Sequence, residues 1–408
     1  MLKMFERERY IKWFKEVKGT EFIKVITGVR RSGKSMLLKM IEQKLFESGV
    51  SKSQIVFLNF ESSEVDHIKN NADLKAYVQG LDLSTNEKTY FLFDEIQEVE
   101  RWQTYINSLR VDYNSDIYIT GSNAKMLSGE LATYLSGRYV ELKVFPLSFQ
   151  EYLQFIGFDS ATQHVDQKFF EYIQWGGFPM LPNLKSEDLK RSVLEGIIDS
   201  IILKDVALRG EVRDKENLLK LVNFLLDTIG NSISPKKISD TLKNEATVIG
   251  APSVERYLTL LTDALVFYRA KRFDIRGKEH LRTQSKYYVV DTGLRNQRVG
   301  KTYRDNIGSQ LENIVFIELK RRGYDVSVGK YKDKEVDFVA AKAGVVEYYQ
   351  VTYQIPLEST REEDNLLMIP DNYKKTIITA NRMDVGNIGG IDVTHIVDFL
   401  LEERGNLL

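Results

Sequence analysis

An apolar run from Phe22 to Ile26 leads into Gly28, Val29, Arg30, Arg31, Ser32, Gly33, Lys34 and Ser35, which fill the pattern G-x-x-x-x-G-K-[ST] in full. No other stretch constrains the fold as much. Gly28 and Gly33 let the backbone turn tightly enough for consecutive N–H groups to converge on a phosphate, and a helix starting near Lys34 adds the positive end of its dipole. Lys34 is placed to reach the β- and γ-phosphates, and Ser35 to hold Mg²⁺ through its hydroxyl. From Met36 to Phe46 the apolar residues follow helical spacing, so strand, loop and helix succeed one another as the motif requires. The expected ligand is a nucleoside triphosphate with Mg²⁺, gripped by the segment Gly28 to Met36.

Two carboxylates sit where such a ligand needs them. Tyr90, Phe91, Leu92 and Phe93 form an apolar strand that ends in Asp94 and Glu95. In a parallel sheet the carboxyl ends of the strands face one crevice, which brings this pair beside the triphosphate. Asp94 is expected to join Ser35 around Mg²⁺, and Glu95 to polarise the attacking water as general base. A further strand from Ser115 to Thr120 ends in Gly121, Ser122 and Asn123. Ser122 or Asn123 could contact the γ-phosphate there, the alternative being plain turn chemistry. Arg138, just before the next strand, is a candidate arginine finger for a neighbouring copy's site; otherwise it is a surface arginine.

These segments resemble the AAA+ class of P-loop ATPases, in the archaeal and bacterial branch whose ATPase module is fused to a C-terminal domain of uncharacterised function. The resemblance rests on residues 28–35, 93–97 (Phe-Asp-Glu-Ile-Gln), 119–123 (Ile-Thr-Gly-Ser-Asn), 136–138 (Ser-Gly-Arg), 145–153 and 175–179 (Trp-Gly-Gly-Phe-Pro), and extends over nearly the whole chain. It implies ATP binding and gives Lys34, Ser35, Asp94 and Glu95 the roles derived above. Asn123 or Ser122 would be the γ-phosphate sensor and Arg138 the finger.

The middle of the chain turns helical. Ser234 to Lys243 and Pro252 to Asp263 read as two short helices with cap-like starts, and a strand pair follows around Val266 to Phe273. That layout is a winged helix, which the resemblance also implies. In a DNA-binding version Ser253, Glu255 and Arg256 would approach base edges, and Lys236, Lys237, Lys243, Lys271 and Arg272 would serve phosphates. A winged helix used only for packing fits the residues equally well.

In the last part, a helix carrying Glu312 and Glu318 precedes two adjacent strands, Glu335 to Ala340 and Glu347 to Tyr353. A helical glutamate, a strand aspartate and a strand bearing acid-x-lysine make the arrangement of PD-(D/E)xK nucleases, whose acids hold Mg²⁺. Asp337 matches the strand aspartate, but Gln350 and Thr352 stand at the acid and lysine positions. A site relocated to Glu312, Glu318 and Glu335 is conceivable. Without those charges, nuclease activity is not expected.

Composition narrows the remaining classes. The 408 residues are long enough for two to four domains, and 57 basic against 58 acidic residues neither demand nor exclude nucleic acid. Cysteine is absent, which removes disulfides and thiolate chemistry, and the four histidines, His67, His164, His280 and His395, have no paired ligand spacing. No apolar run approaches the ~18 residues of a membrane span, and the charged start is not a signal peptide, so a cytoplasmic protein is expected. The expected class is α/β: a parallel-sheet ATPase domain (1–158), a helical linker or lid (159–205), a winged helix (206–280) and a restriction-endonuclease-like domain (281–408). The function expected is ATP hydrolysis coupled to binding of a partner, with DNA left open and a homo-oligomer anticipated. An ATP-regulated metal-dependent DNA nuclease and a slowly turning nucleotide-dependent scaffold are the alternatives.

Overall fold

A computed structural model describes residues 5–84, 86–122, 135, 137–159, 164–244, 249–356 and 361–402. The chain forms two compact units, one running to Phe145 and one beginning at Pro146, with Asp263–Leu265 grouped with the first.

The first unit contains α1 (Glu8–Val17), β1 (Ile23–Thr27), α2 (Lys34–Glu47), β2 (Ile55–Asn59), α3 (Asn71–Gln79), β3 (Thr89–Asp94), α4 (Trp102–Asp112), β4 (Ser115–Gly121) and β5 (Tyr139–Lys143). Its strands make one sheet in the order β2-β3-β4-β1-β5, and every neighbouring pair is parallel. Both faces are covered. In β3, Phe91 and Phe93 enter a core shared with Leu74, Val78, Trp102 and Ile106 of α3 and α4. Tyr90 and Leu92 enter another with Tyr10, Phe14, Leu38 and Ile41 of α1 and α2. Double burial explains why these strands read as unbroken apolar runs rather than as alternating ones. Each such side chain contributes roughly 1.5–3 kcal/mol by leaving water. Lys24 interrupts the run in β1, but its ammonium is fully buried and donates to Asp116 and, at 2.7 Å, to the Thr20 carbonyl. Burial pulls its pKa down, against the opposing pull of Asp116.

The second unit begins with α5 (Phe149–Phe155), α6 (Val165–Trp175) and α7 (Glu187–Ser200), which runs on as a π-helical stretch (Ile201–Leu208). Then come α8 (Lys215–Asp227), α9 (Pro235–Asn244), α10 (Ala251–Asp263), β6 (Phe267–Asp274), β7 (Glu279–Val289), α11 (Thr292–Arg298) and α12 (Ile307–Arg321). It ends with β8 (Asp325–Tyr331), β9 (Lys334–Lys342), β10 (Val345–Thr352), α13 (Arg361–Leu367), β11 (Lys374–Thr379), β12 (Gly386–Ile388), β13 (Ile391–His395) and α14 (Ile396–Leu401).

Its eight strands form one mixed sheet in the order β12-β13-β11-β10-β9-β8-β6-β7. Leu366 of α13 packs with Val336, Val339 and Ile377 in its core. Phe316 of α12 stacks on Tyr288 at 4.2 Å between ring centroids and also meets Phe338. The two helices expected of a winged helix are present as α9 and α10. The hairpin expected to be its wing is the β6–β7 edge of the large sheet, and residues 280 and 281 both lie inside β7.

Residues 175–179 owe their glycines to close packing inside this unit. A Cβ on Gly176 would lie 1.8 Å from Asp291 Oδ1, and one on Gly177 would lie 2.2 Å from the Leu147 carbonyl. Asp291 accepts the N–H of Gly177 at 2.7 Å and that of Gly293 at 2.9 Å.

Candidate phosphate and magnesium site

In an all-parallel sheet the carboxyl ends of the strands share one edge. The phosphate loop leaves β1 at that edge, Asp94 and Glu95 end β3 there, and β4 lies between the two, so Thr120, Gly121 and Ser122 end between loop and carboxylates. The loop needs its glycines. A Cβ on Gly28 would collide with the Val144 carbonyl at 2.2 Å, and Gly33 has φ 105° where it starts α2. Val29 and Ser32 are buried, and the Ser32 hydroxyl has no hydrogen-bond partner among the described residues. Arg30 pairs with Glu61 at 3.1 Å, while Arg31 and Met36 are exposed.

Lys34 and Glu95 are both buried and stand 3.6 Å apart, and Lys34 also donates to the Gly28 carbonyl at 3.1 Å. Asp94 is almost fully buried. Its carboxylate accepts the Thr120 hydroxyl at 2.6 Å, and the Glu95 N–H donates to the same hydroxyl at 2.9 Å. Burial pushes the Asp94 pKa up, while its bonds to Thr120 and Ser35 pull it back toward the ionised form. Ser35 and Asp94 are thus joined, as a shared Mg²⁺ would require. Hydroxyl and carboxylate are the hard oxygen donors that Mg²⁺ prefers.

The remaining expected residues fall differently. Asn123 lies outside the described residues, and Ser122 is buried at the end of β4. Arg138 is exposed, directly before β5, where it donates to Asn107 of α4 at 3.1 Å. Since β1 and β5 run parallel with Ile23 opposite Tyr139, Arg138 stands at the amino edge of the sheet, opposite the phosphate loop.

Two residues around the loop carried no signal of their own in the sequence. Thr120, inside an apolar strand, ties Asp94 to Glu95. Arg7, just before α1, is buried and donates to the carbonyls of Ser32 at 3.3 Å and Phe145 at 2.9 Å, bracing the loop from behind.

In the second unit Lys286 fills the acidic cluster read from the last domain. Its ammonium lies 2.8 Å from Glu312, 2.9 Å from Glu335 and 3.9 Å from Asp337. Burial would strip its charge, but these three acids outweigh burial and hold its pKa above the lysine norm. Burial also drives the Asp337 pKa well up, helped by Glu312 and opposed by Lys286. Gln350 accepts the Asp337 N–H at 3.3 Å, and Thr352 donates to the Gln354 carbonyl at 2.9 Å. Glu318 is spent on Arg321 and Arg322. Among the described residues no group of three or more histidines, aspartates or glutamates could hold a metal ion.

Of the residues expected at a DNA surface, Lys236, Lys237, Lys243 and Lys271 are exposed. Arg256 instead donates to the Gly210 carbonyl, Glu255 pairs with Arg269 at 3.5 Å, and Arg272 with Glu335 at 3.6 Å. Among the described residues no helix is long and apolar enough to cross a membrane.

A family model described as an AAA domain matches residues 20–153, and one described as a domain of unknown function (DUF8612) matches residues 166–305. An uncharacterized protein of Haemophilus influenzae is 49% identical over 399 residues, 98% of this chain and 99% of its own length. An uncharacterized protein of Methanocaldococcus jannaschii is 32% identical over 397 residues, 93% of this chain and 86% of its own. Among solved structures, the Walker-type ATPase of Pyrococcus abyssi is alike in fold, with a TM-score of 0.51 at 15% identity over 72% of this chain and 95% of that one. With near full-length likeness to both relatives the chain belongs to their family, and its phosphate loop and paired carboxylates lie within the matched AAA domain.

Proposed function

We propose that this protein hydrolyses ATP and uses the nucleotide state to control how its second unit engages a partner. The observation that carries this reading is the meeting of Lys34, Ser35, Asp94 and Glu95 at one sheet edge, all in a loop-and-strand setting suited to a triphosphate. The loop N–H groups and the start of α2 hold the β-phosphate, and Lys34 leaves its carbonyl partners for the β- and γ-oxygens. Ser35 and Asp94 hold Mg²⁺, which when bound neutralises charge that builds on the phosphates. Glu95, kept buried and oriented, takes a proton from the attacking water.

ATP turnover tests this directly. Lys34→Ala is expected to abolish nucleotide binding, and Glu95→Gln to keep binding while lowering kcat by about 10²–10⁴-fold. Undiminished turnover in the Glu95 variant would sink the assignment. The partner reading rests on the exposed lysines of α9 and β6 and favours DNA as the first candidate. Turnover stimulated by duplex DNA, with an affinity that falls as salt rises, is the expected result. We read the last domain as nuclease-like in outline only, because Lys286 occupies the acidic cluster and both Gln350 and Thr352 are absorbed into the strand scaffold.

A further inference from the structure

Glu95 and Gln97 lie two residues apart where the chain leaves β3. Glu95 takes a left-handed conformation, φ 54° and ψ 46°, and a short 3₁₀ turn (Ile96–Glu98) follows. A glutamate with positive φ is an uncommon conformation, held here because the Glu95 N–H is anchored on Thr120. The bend turns Gln97 back on its neighbour. Its amide nitrogen donates to Glu95 Oε2, while Lys34 stands at Oε1. Each oxygen of the carboxylate therefore has a fixed partner, and the plane of the group is set.

The other end of the same amide is unusual. Gln97 Oε1 is buried and has no hydrogen-bond partner among the described residues. Leaving a buried carbonyl unsatisfied is costly, so such an atom calls for a reason. Amide oxygen and nitrogen share one carbon, and the nitrogen is bonded to Glu95, so this acceptor necessarily lies beside the carboxylate. Two acceptors side by side suit a donor with two hydrogens. Water is such a donor.

We propose that Gln97 is a positioning residue for hydrolysis, holding the Glu95 carboxylate through its N–H and the attacking water through its carbonyl. The proposal rests on the ATPase reading given above. The water gives one hydrogen bond to Glu95 and the other to Gln97, which leaves a lone pair directed at the γ-phosphorus. As the water oxygen bonds to that phosphorus, the bond from phosphorus to the β–γ bridging oxygen breaks and ADP leaves with the electron pair. The proton passes to Glu95, and the Gln97 amide is unchanged throughout.

The test is steady-state ATP turnover by the full-length protein, with nucleotide affinity, for Gln97→Ala, Gln97→Glu and Glu95→Gln. Gln97→Ala is expected to lower kcat by about tenfold to a hundredfold while KM for ATP stays within about twofold. Gln97→Glu keeps an acceptor but loses the N–H donor and sets a like charge beside Glu95, so it too should lower kcat by about tenfold or more with KM kept. If Gln97→Ala is poorly folded, Gln97→Glu, close to isosteric, carries the test through its split between kcat and KM. A Gln97→Ala enzyme with normal kcat, beside a silent Glu95→Gln, overturns this inference and leaves the ATPase reading standing. A change confined to KM, or a Gln97→Glu enzyme with normal kcat, overturns it too. Turnover surviving in Glu95→Gln removes the base assignment itself.

Discussion

At the scale of single residues, Thr120 shows how one hydroxyl organises two charged neighbours. Its oxygen donates to Asp94 and receives the Glu95 N–H, all three groups being buried. Thr120→Val keeps the shape of the side chain and removes that oxygen. The Glu95 N–H then loses its partner, at a cost of about 1–3 kcal/mol, and Asp94 loses one of the two bonds that pull its pKa down. A carboxylate harder to ionise binds Mg²⁺ less well, so we expect a several-fold higher Mg²⁺ requirement for turnover and a lower Tm. A Mg²⁺ titration at fixed ATP reads the first, and an unchanged requirement contradicts the role. Gly28, Gly33, Lys34 and Ser35 were legible in the sequence because their chemistry is local and their spacing fixed. Thr120 was not, because its task is defined by β3, a strand apart in space and distant in sequence; it reads as one more β-branched residue in a strand. Arg7 was hidden for the same reason, since its partners Ser32 and Phe145 are brought to it only by the fold.

At the scale of elements, the glycines of residues 175–179 and the buried Asp291 form one lock. Three backbone N–H groups, those of Gly177, Gly293 and Leu294, converge on a carboxyl that is otherwise sealed from water. Burial dominates, lifting the Asp291 pKa from 3.8 to about 6 despite these bonds. Because the folded pKa is raised, the folded state holds the proton more tightly than the unfolded chain does. The resulting stabilisation is complete below the unfolded value and is lost as pH rises through about 6. A shift of this size corresponds to on the order of 3 kcal/mol. Thermal unfolding should therefore show this contribution to Tm shrinking between pH 4 and about 6.5, and Asp291→Asn, which cannot titrate, should flatten that part of the curve. Equal slopes in the two proteins would contradict the assignment. The motif 175–179 could be seen in the sequence, but not its purpose, because the partner that requires the glycines comes from Asp291. The helices and strands beside the quoted motifs were legible from apolar spacing. The place of β6 and β7 was not, since Arg272 meets Val328 across a long stretch of chain and nothing local announces that pairing.

At the scale of the whole molecule, the sheet of the first unit separates Arg138 from the residues it would serve. Lys34 follows the carboxyl end of β1, and Arg138 precedes the amino end of β5, with five registered pairs between them. At about 3.3 Å per residue that is roughly 15 Å along the sheet, beyond the reach of an arginine side chain. Arg138 therefore cannot complete the site of its own chain. It is exposed, donates to Asn107 of α4, and so is available to a second copy. If it acts as a finger, turnover per chain rises with protein concentration, and Arg138→Ala lowers kcat by about 10³-fold or more while nucleotide affinity is kept. Mixing gives a sharper result. An Arg138→Ala chain retains an intact loop and carboxylates, whereas a Glu95→Gln chain retains its arginine. If fingers act in trans, two nearly inactive proteins regain turnover when combined, because some interfaces pair an intact site with an intact finger. If Arg138→Ala turns over normally at every concentration, or the mixture shows only the sum of its parts, the arginine is a surface residue and each site works alone.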